Sequence, residues 1–272
     1  LTDTHYTVNG TWQDTAANLF AVHQGALFDE VIHLGDLTDG LLSKDILTTY
    51  TEKIRNDLEK LEIPVHIVLG NHDANYFGGN KEILSLSEQA ALYLKTEEKQ
   101  TYYHVDHEKQ KIRSVFLSSY DNEETPRYGF DLGQIAWVKR ILKATPPDYH
   151  ILIFCHDAPL ARLDYWSDEI RNGDFLMEVL ENHQKEYKNI LAYIHGHTHA
   201  DFIYRERLFP IISVGCAKCE GMQEKKPEGV KTEMRTLGTV SQDLWDVLLV
   251  KPKEKNLHFI RFGAGEDRIV KM

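Results

Sequence analysis

Five stretches of this chain end in residues that can bind metals or carry protons. Asp3-Thr4-His5 stands at the start, and four apolar runs follow the same rule. Val31-Ile32-His33-Leu34 runs into Gly35-Asp36, and Val65 to Leu69 runs into Gly70-Asn71-His72-Asp73. Ile151 to Cys155 leads to His156, and Leu191 to Ile194 leads to His195-Gly196-His197-Thr198-His199. A short apolar run reads as a buried strand, and α/β enzymes set their chemistry at the carboxyl ends of such strands. Together the loop ends offer Asp3, His5, Asp36, Asn71, His156, His197 and His199. Imidazoles with carboxylate and amide oxygens suit Mn²⁺, Fe or Zn²⁺; a site for a softer metal would be rich in thiolate. So many donors exceed what one tetrahedral ion takes and suit two ions sharing a carboxylate. Any one of them alone reads as an ordinary hydrogen-bonded residue, but accidents seldom align in five strand-end registers.

The elements that must position these residues follow from periodicity. Thr11 to Phe28 carries Trp12, Ala16, Leu19, Phe20, His23 and Leu27 at helical spacing. Ser43 caps a second helix with Ile46, Leu47, Tyr50, Ile54, Leu58 and Leu61 on one face, and Pro64 stops it before the Val65 strand. Strand, helix, strand, helix, strand predicts a parallel sheet. Ser85-Leu86-Ser87-Glu88 is a capping box opening a short helix to about Lys95. Tyr102 to Asp106 and Ile112 to Ser118 read as a hairpin. Asp131 with Gln134 starts a helix closed by Pro146 and Pro147, and another spans about Asp174 to Tyr187. From Phe202 the pattern is mainly β: Phe202 to Arg205, Pro210 to Val214, Leu244 to Val250, Leu257 to Phe262 and Arg268 to Val270. Residues 219–231 read as a charged surface loop. Without a linker or repeat, the whole chain 1–272 reads as one α/β domain.

The 272 residues suffice for a sizeable core, and the net charge of -11 argues against a polynucleotide binder, which needs clustered Lys and Arg. Three cysteines make no disulfide framework; Cys216 and Cys219 form a C-x-x-C pair without the second pair a zinc site needs, so a structural reading is preferred. No run approaches the ~20 apolar residues of a membrane span. Only Leu1 and Thr2 precede Asp3, where a strand is expected, so the N-terminus reads as trimmed. A signal peptide is therefore not legible, and location is left open with the cytoplasm favoured.

Asp3-Thr4-His5, Gly35-Asp36, Gly70-Asn71-His72-Asp73, His156 and Gly196-His197-Thr198-His199 resemble, in order and interval, the motif set of the calcineurin-like metallophosphoesterases. That resemblance implies a four-layer αββα sandwich of two mixed sheets and a dimetal phosphoesterase activity. One ion would take Asp3, His5, Asp36 and His199; the other would take Asp36, Asn71, His156 and His197, with Asp36 bridging. His72 would protonate the leaving oxygen, and Asp73 would orient His72. The physics agrees with such a transfer. Two divalent ions clamp a phosphoryl group, lower the pKa of a bridging water and draw in an anion despite the acidic chain.

Two departures stand out. His156-Asp157-Ala158-Pro159 replaces the His-His or His-Pro of many relatives, and Asp157 reads either as a partner of a ligand or as added negative charge. Gly215-Cys216 replaces a frequent Gly-Ser, which puts Cys216 near the site as packing. His33 and His66 read as satisfied core residues, and His195 as a neighbour of the last metal loop. Tyr120, Asp121 and Asn122, with Tyr165 and Trp166, either stack a substrate ring or cover the pocket, the cover being preferred. The expected substrate is a small phosphodiester or phosphomonoester; nothing in the sequence speaks to oligomeric state. A non-catalytic scaffold on the same fold is disfavoured by the intact donor set, a nuclease by the charge, and a mononuclear barrel hydrolase by the β-rich tail.

Overall fold

The computed structural model describes residues 1–6, 10–164, 166–220 and 234–272. Tyr165 and most of the charged loop expected over 219–231 lie outside them.

Helix α1 (Trp12–Ala26) leads into strand β1 (Val31–His33), helix α2 (Lys44–Glu59) and strand β2 (Val65–Ile67). β1 and β2 are parallel, as the strand–helix–strand pattern requires. Ser43 holds the cap position of α2 but makes no side-chain cap bond. The capping box at Ser85 and Glu88 is formed in both directions. It opens α3 (Leu86–Gln89), which continues as a π-helical turn over Ala90–Leu94 and ends at left-handed Lys95. The expected hairpin is β3 (Tyr103–His107) against β4 (Ile112–Phe116). Asp131 caps α4 (Leu132–Lys143) by accepting from the Gln134 N–H. Then come β5 (His150–Cys155), α5 (Gly173–Tyr187), β6 (Ile190–His195), β7 (Phe202–Tyr204) and β8 (Ile211–Ser213), followed by β9 (Leu244–Lys251), β10 (Asn256–Gly263) and β11 (Arg268–Lys271).

Three buried clusters separate four layers. α1 and α2 lay Trp12, Leu19, Leu47, Ile54 and Leu58 on Val31, Ile67 and Trp245 of the first sheet layer. That layer joins the β1–β2 pair to an antiparallel sheet ordered β11-β10-β9. Residues 1–3 run beside β1, with the Leu34 N–H donating to Leu1 O and the Asp3 N–H to Gly35 O, each at 2.9 Å. Between the layers Phe116, Leu152, Phe154, Ile194 and Ile212 meet Leu257, Phe259 and Val270. The second layer is one mixed sheet, ordered β3-β4-β5-β6-β8-β7. On its outer face α4 and α5 pack Ile135, Val138, Leu176, Met177 and Leu180 on Val115, Ile151, Ile153 and Tyr193. The architecture is the expected αββα sandwich, with its first layer in two hydrogen-bonded pieces. Among the described residues no helix is long and apolar enough to cross a membrane.

This topology aims the parallel strands the same way. β1, β2, β5 and β6 therefore release Asp36, Asn71, His156 and His197 at one rim, where the turn after residues 1–3 also brings Asp3 and His5.

Candidate active site

Five of the seven candidate donors have left-handed backbones: Asp3 (φ 51°), His5 (45°), Asp36 (56°), His197 (62°) and His199 (52°). Asp, Asn and His tolerate this region better than most residues, yet each such turn carries strain that the surrounding structure must hold. The sharp turns bend the chain back so that side chains point into one cup. Two glycines make room for them. A side chain at Gly70 would meet Asp36 Oδ1 at 2.2 Å, and one at Gly196 would meet Thr2 Oγ1 at 2.0 Å and Asp3 Oδ2 at 2.7 Å.

All seven donors converge. His156 Nε2 is 3.2 Å from Asp36 Oδ2, 3.0 Å from Asn71 Oδ1 and 3.9 Å from Asp3 Oδ1. His197 Nδ1 is 3.2 Å from His156 Nε2. His199 Nε2 is 3.0 Å from Asp3 Oδ1, and His5 Nε2 is 3.9 Å from Asp3 and 3.7 Å from Asp36. His156 donates its Nδ1–H to Leu34 O at 2.6 Å, so in the neutral ring Nε2 bears a lone pair. That lone pair faces His197 Nδ1 and two carboxylates. Both ring nitrogens of His5 are buried with no hydrogen-bond partner. A buried imidazole with neither nitrogen partnered, set among carboxylates, fits a cation's donor set. Groups of such donors at Asp3–His5–His199, His5–Asp36–His72 and Asp36–His156–His197 lie within 4.8 Å, close enough for metal ions.

Charge makes the same point. Burial pushes the Asp3 carboxyl up, but His199, His156 and His5 outweigh it and hold it well below the usual range. Asp36 is held low by His156, His72 and His5 against its own burial. Burial opposes a charge on His156, yet Asp36 and Asp3 raise it well above an ordinary imidazole. Protons substitute here for positive charge that the carboxylates demand.

His72 lies beside the cluster. Its Nε2 is 3.9 Å from Asp36 Oδ2, its Nδ1–H donates to Asp39 O at 2.7 Å, and its ring stacks on Phe77 at 3.8 Å and 5°. Burial lowers its pKa, against the pull of Asp36. The expected orienting role of Asp73 does not hold. Its carboxylate accepts from the backbone N–H groups of Asp36 (2.8 Å), Leu37 (3.0 Å) and Gly70 (2.8 Å), tying the first two strand-end loops together. Burial and Asp36 push Asp73 up to about 7, opposed by those three donors. The Asp39 carbonyl and the Phe77 ring orient His72 instead.

Trp166 and the turn after Tyr120 lie beside the donor cluster. Trp166 donates Nε1–H to His197 O at 3.0 Å, and its ring lies 6.3 Å from His199. Tyr120 is buried against Tyr128 at 5.2 Å, and Tyr128 lies 5.4 Å from His197. Asp121 serves the turn between them, accepting from the Glu123 N–H at 2.9 Å, while Asn122 Oδ1 is buried without a partner. Arg127, at the end of the same turn, stacks on Tyr76 at 3.9 Å, which ties this turn to the loop after His72.

Four contributors were not read from sequence. Asp39 approaches His5 Nδ1 at 3.4 Å, Asp164 approaches His197 Nε2 at 3.4 Å, Glu220 meets His199 Nδ1, and Phe77 backs His72. Asp157, left open before, faces His197 Nε2 at 3.3 Å and accepts from Ser119. His33 is fully buried and satisfied, accepting from the Gly35 N–H at 3.2 Å and meeting Thr4 at 2.8 Å. His66 is less buried than expected and pairs with Glu30 at 3.2 Å. Cys216 and Cys219 form no disulfide, and Cys216 Sγ donates to Lys218 O at 3.2 Å.

Solved structures with the same fold include a dimetal phosphatase from Danio rerio (TM-score 0.72, 14% identity, covering 100% of this chain and 97% of that one). A phosphopantetheinyl hydrolase from Mycobacterium tuberculosis aligns with TM-score 0.51 at 13% identity, over 88% of this chain and 95% of that one. GAP50, the anchor in the inner membrane complex of Plasmodium, aligns with TM-score 0.52 at 13% identity, over 99% of this chain and 81% of that one. No curated protein matches the sequence significantly. The calcineurin-like phosphoesterase family profile, however, matches residues 1–201, the span that carries every candidate ligand, and the chain belongs to that family.

Proposed function

We propose that this protein hydrolyses a small phosphodiester or phosphomonoester with two divalent transition ions, Mn, Fe or Zn. The reading rests above all on buried donor atoms converging from five loops, with neither ring nitrogen of His5 hydrogen-bonded. Asp3, His5, Asp36 and His199 would hold one ion, and Asp36, Asn71, His156 and His197 the other. Bound divalent ions supply Lewis acidity for the phosphoryl oxygens and an activated water at neutral pH.

The chain's own residues do the rest. Asp36 faces both groups of donors, so it sets their spacing. Asn71 gives a neutral oxygen where a carboxylate would cancel charge needed to attract phosphate. His72, pinned at Nδ1 by Asp39 O, presents Nε2 to the pocket; in the doubly protonated ring, which the Asp36 carboxylate favours, Nε2–H would go to the departing oxygen. Tyr128, Trp166 and the Arg127–Tyr76 pair narrow the mouth and favour a short substrate. The overall charge of -11 repels a long polyanion, while a small anion feels the local field of the site.

The test is metal analysis of protein purified without chelator, with turnover of an aryl diester, an aryl monoester, a cyclic nucleotide, a short oligonucleotide and a phosphopeptide. Close to two ions per chain, and activity on the small esters that Mn²⁺ raises, is the expected result. Negligible metal with no Mn²⁺ response would exclude the dimetal reading, and fastest turnover of the oligonucleotide or phosphopeptide would exclude the small-substrate one.

A further inference from the structure

We propose that three acidic residues outside the ligand set, Asp157, Asp164 and Glu220, are positioning residues that hold the two histidines of the last loop in opposite orientations. His197 is turned with Nδ1 inward, His199 with Nε2 inward. This inference rests on the dimetal reading and assigns each ion its own outer support.

The two rings leave the same tight turn, two residues apart, yet use different nitrogens. His197 points Nδ1 at His156 Nε2 (3.2 Å) and turns Nε2 away toward Asp157 Oδ1 (3.3 Å) and Asp164 Oδ1 (3.4 Å). His199 points Nε2 at Asp3 Oδ1 (3.0 Å) and turns Nδ1 away to Glu220. A neutral imidazole has one N–H and one lone pair, so whichever nitrogen meets an acceptor keeps the proton and the other is free to ligate. Carboxylates on the outward nitrogens thus decide which nitrogen faces the ions. They also raise the basicity of the ligating nitrogen.

The carboxylates are themselves fixed. Asp157 accepts from Ser119. Asp164 Oδ1 accepts from the backbone N–H groups of Trp166 (2.9 Å) and Ser167 (3.2 Å). Glu220 Oε2 is paired with Lys218 at 2.8 Å. His197 Nε2, Asp157 Oδ1 and Asp164 Oδ2 are buried with no hydrogen-bond partner, and Nε2 stands at ion-pair distance from both carboxylates, so nothing else competes for this side of the ring. A ring flip would set a lone pair against a carboxylate and an N–H against the ions.

The division between ions makes the proposal testable. Glu220 serves the ion held by Asp3, His5, Asp36 and His199; Asp157 and Asp164 serve the one held by Asp36, Asn71, His156 and His197. Stepwise Zn²⁺ titration of the metal-free protein by calorimetry would compare wild type with Glu220→Ala, Glu220→Gln and Asp164→Asn. Each alanine or asparagine change should weaken a different one of two binding steps by about 10–100-fold, the usual cost of losing an outer partner. Glu220→Gln keeps an acceptor oxygen and should fall between wild type and Glu220→Ala. Ring ¹⁵N shifts of the Zn²⁺-loaded protein should show the protonated Nδ1 of His199 lost in Glu220→Ala and kept in Glu220→Gln and Asp164→Asn. Unchanged affinities, or both sites weakening the same step, would overturn the proposal, as would a lower melting temperature with wild-type Zn²⁺ binding. A wild type that takes up fewer than two ions would instead overturn the dimetal reading. The ring shifts of the metal-free protein would then decide the positioning alone, with unchanged shifts in every variant counting against it.

Discussion

His72 shows how a residue's role depends on what fixes it. The ring is clamped between Phe77 and the Asp39 carbonyl, with Nε2 3.9 Å from Asp36. It touches the cluster without being needed to fill it. His72→Ala should therefore keep its metal and lose roughly 10²–10⁴-fold in kcat, the reach of general acid catalysis. The loss should shrink for substrates whose leaving group departs unprotonated; equal losses for good and poor leaving groups would rule out the acid role. His33 is the contrasting case, a histidine that the fold holds neutral. Its Nδ1 accepts a backbone N–H, and burial lowers its pKa to about 3. The folded pKa lies below the unfolded one, so the unfolded chain binds the extra proton between about 3 and ~6.5. Stability from this group is complete above that window and falls with acidification, by up to about 1.4 kcal/mol per pH unit. Urea unfolding of chelator-treated protein should show the advantage of wild type over His33→Asn shrinking from pH 7 to pH 4.5. A constant difference would contradict it.

Among elements, the strand-end loops were the legible part of the sequence. Apolar runs of four or five residues ending in Gly, Asp, Asn or His announce both the strand and its chemistry, and the capping box at Ser85 marks a helix start to the residue. What stayed hidden depends on contacts across loops. Asp164 and Glu220 lie in segments without periodicity, and only the folded chain brings them to His197 and His199. The role of Asp73 toward His72 came from the family resemblance alone, and its hydrogen bonds were likewise hidden in contacts across loops. Its actual role is between elements, as one carboxylate accepting three N–H groups from the loops after β1 and β2. Hydrogen bonds contribute about 0.5–1.5 kcal/mol each, more to a charged acceptor, and buried donors left unpaired add about 1–3 kcal/mol each. Asp73→Ala should destabilise the protein by at least about 3 kcal/mol and lower its metal content, with Asp73→Asn milder. A variant with normal stability and metal but impaired kcat would restore the orienting role.

At the scale of the whole molecule, two sheet layers enclose a core of aliphatic and aromatic side chains, and at one rim the interior turns acidic. Asp3, Asp36, Asp73 and Asp157 are each no more than 1% exposed, and His5, His156 and His197 are nearly as deep. Such a concentration of buried carboxylates is tolerable only when positive charge meets it. Ions bound to the folded state alone stabilise it by mass action, about 2.7 kcal/mol for each site held at a hundredfold excess over its dissociation constant. For a chain of this size a kilocalorie moves the melting temperature by ~2–4 °C, so stripping two ions should lower it on the order of 10 °C. The shift should reverse with Mn²⁺ or Zn²⁺ and nearly vanish in Asp36→Asn, which removes the carboxylate common to both donor groups. High salt should not reproduce the stabilisation, because a buried cluster is poorly screened. The measurement is a thermal melt in chelator, in chelator followed by added metal, and in chelator with 1 M NaCl. Identical melting temperatures with and without chelator would show that protonated histidines alone satisfy these carboxylates.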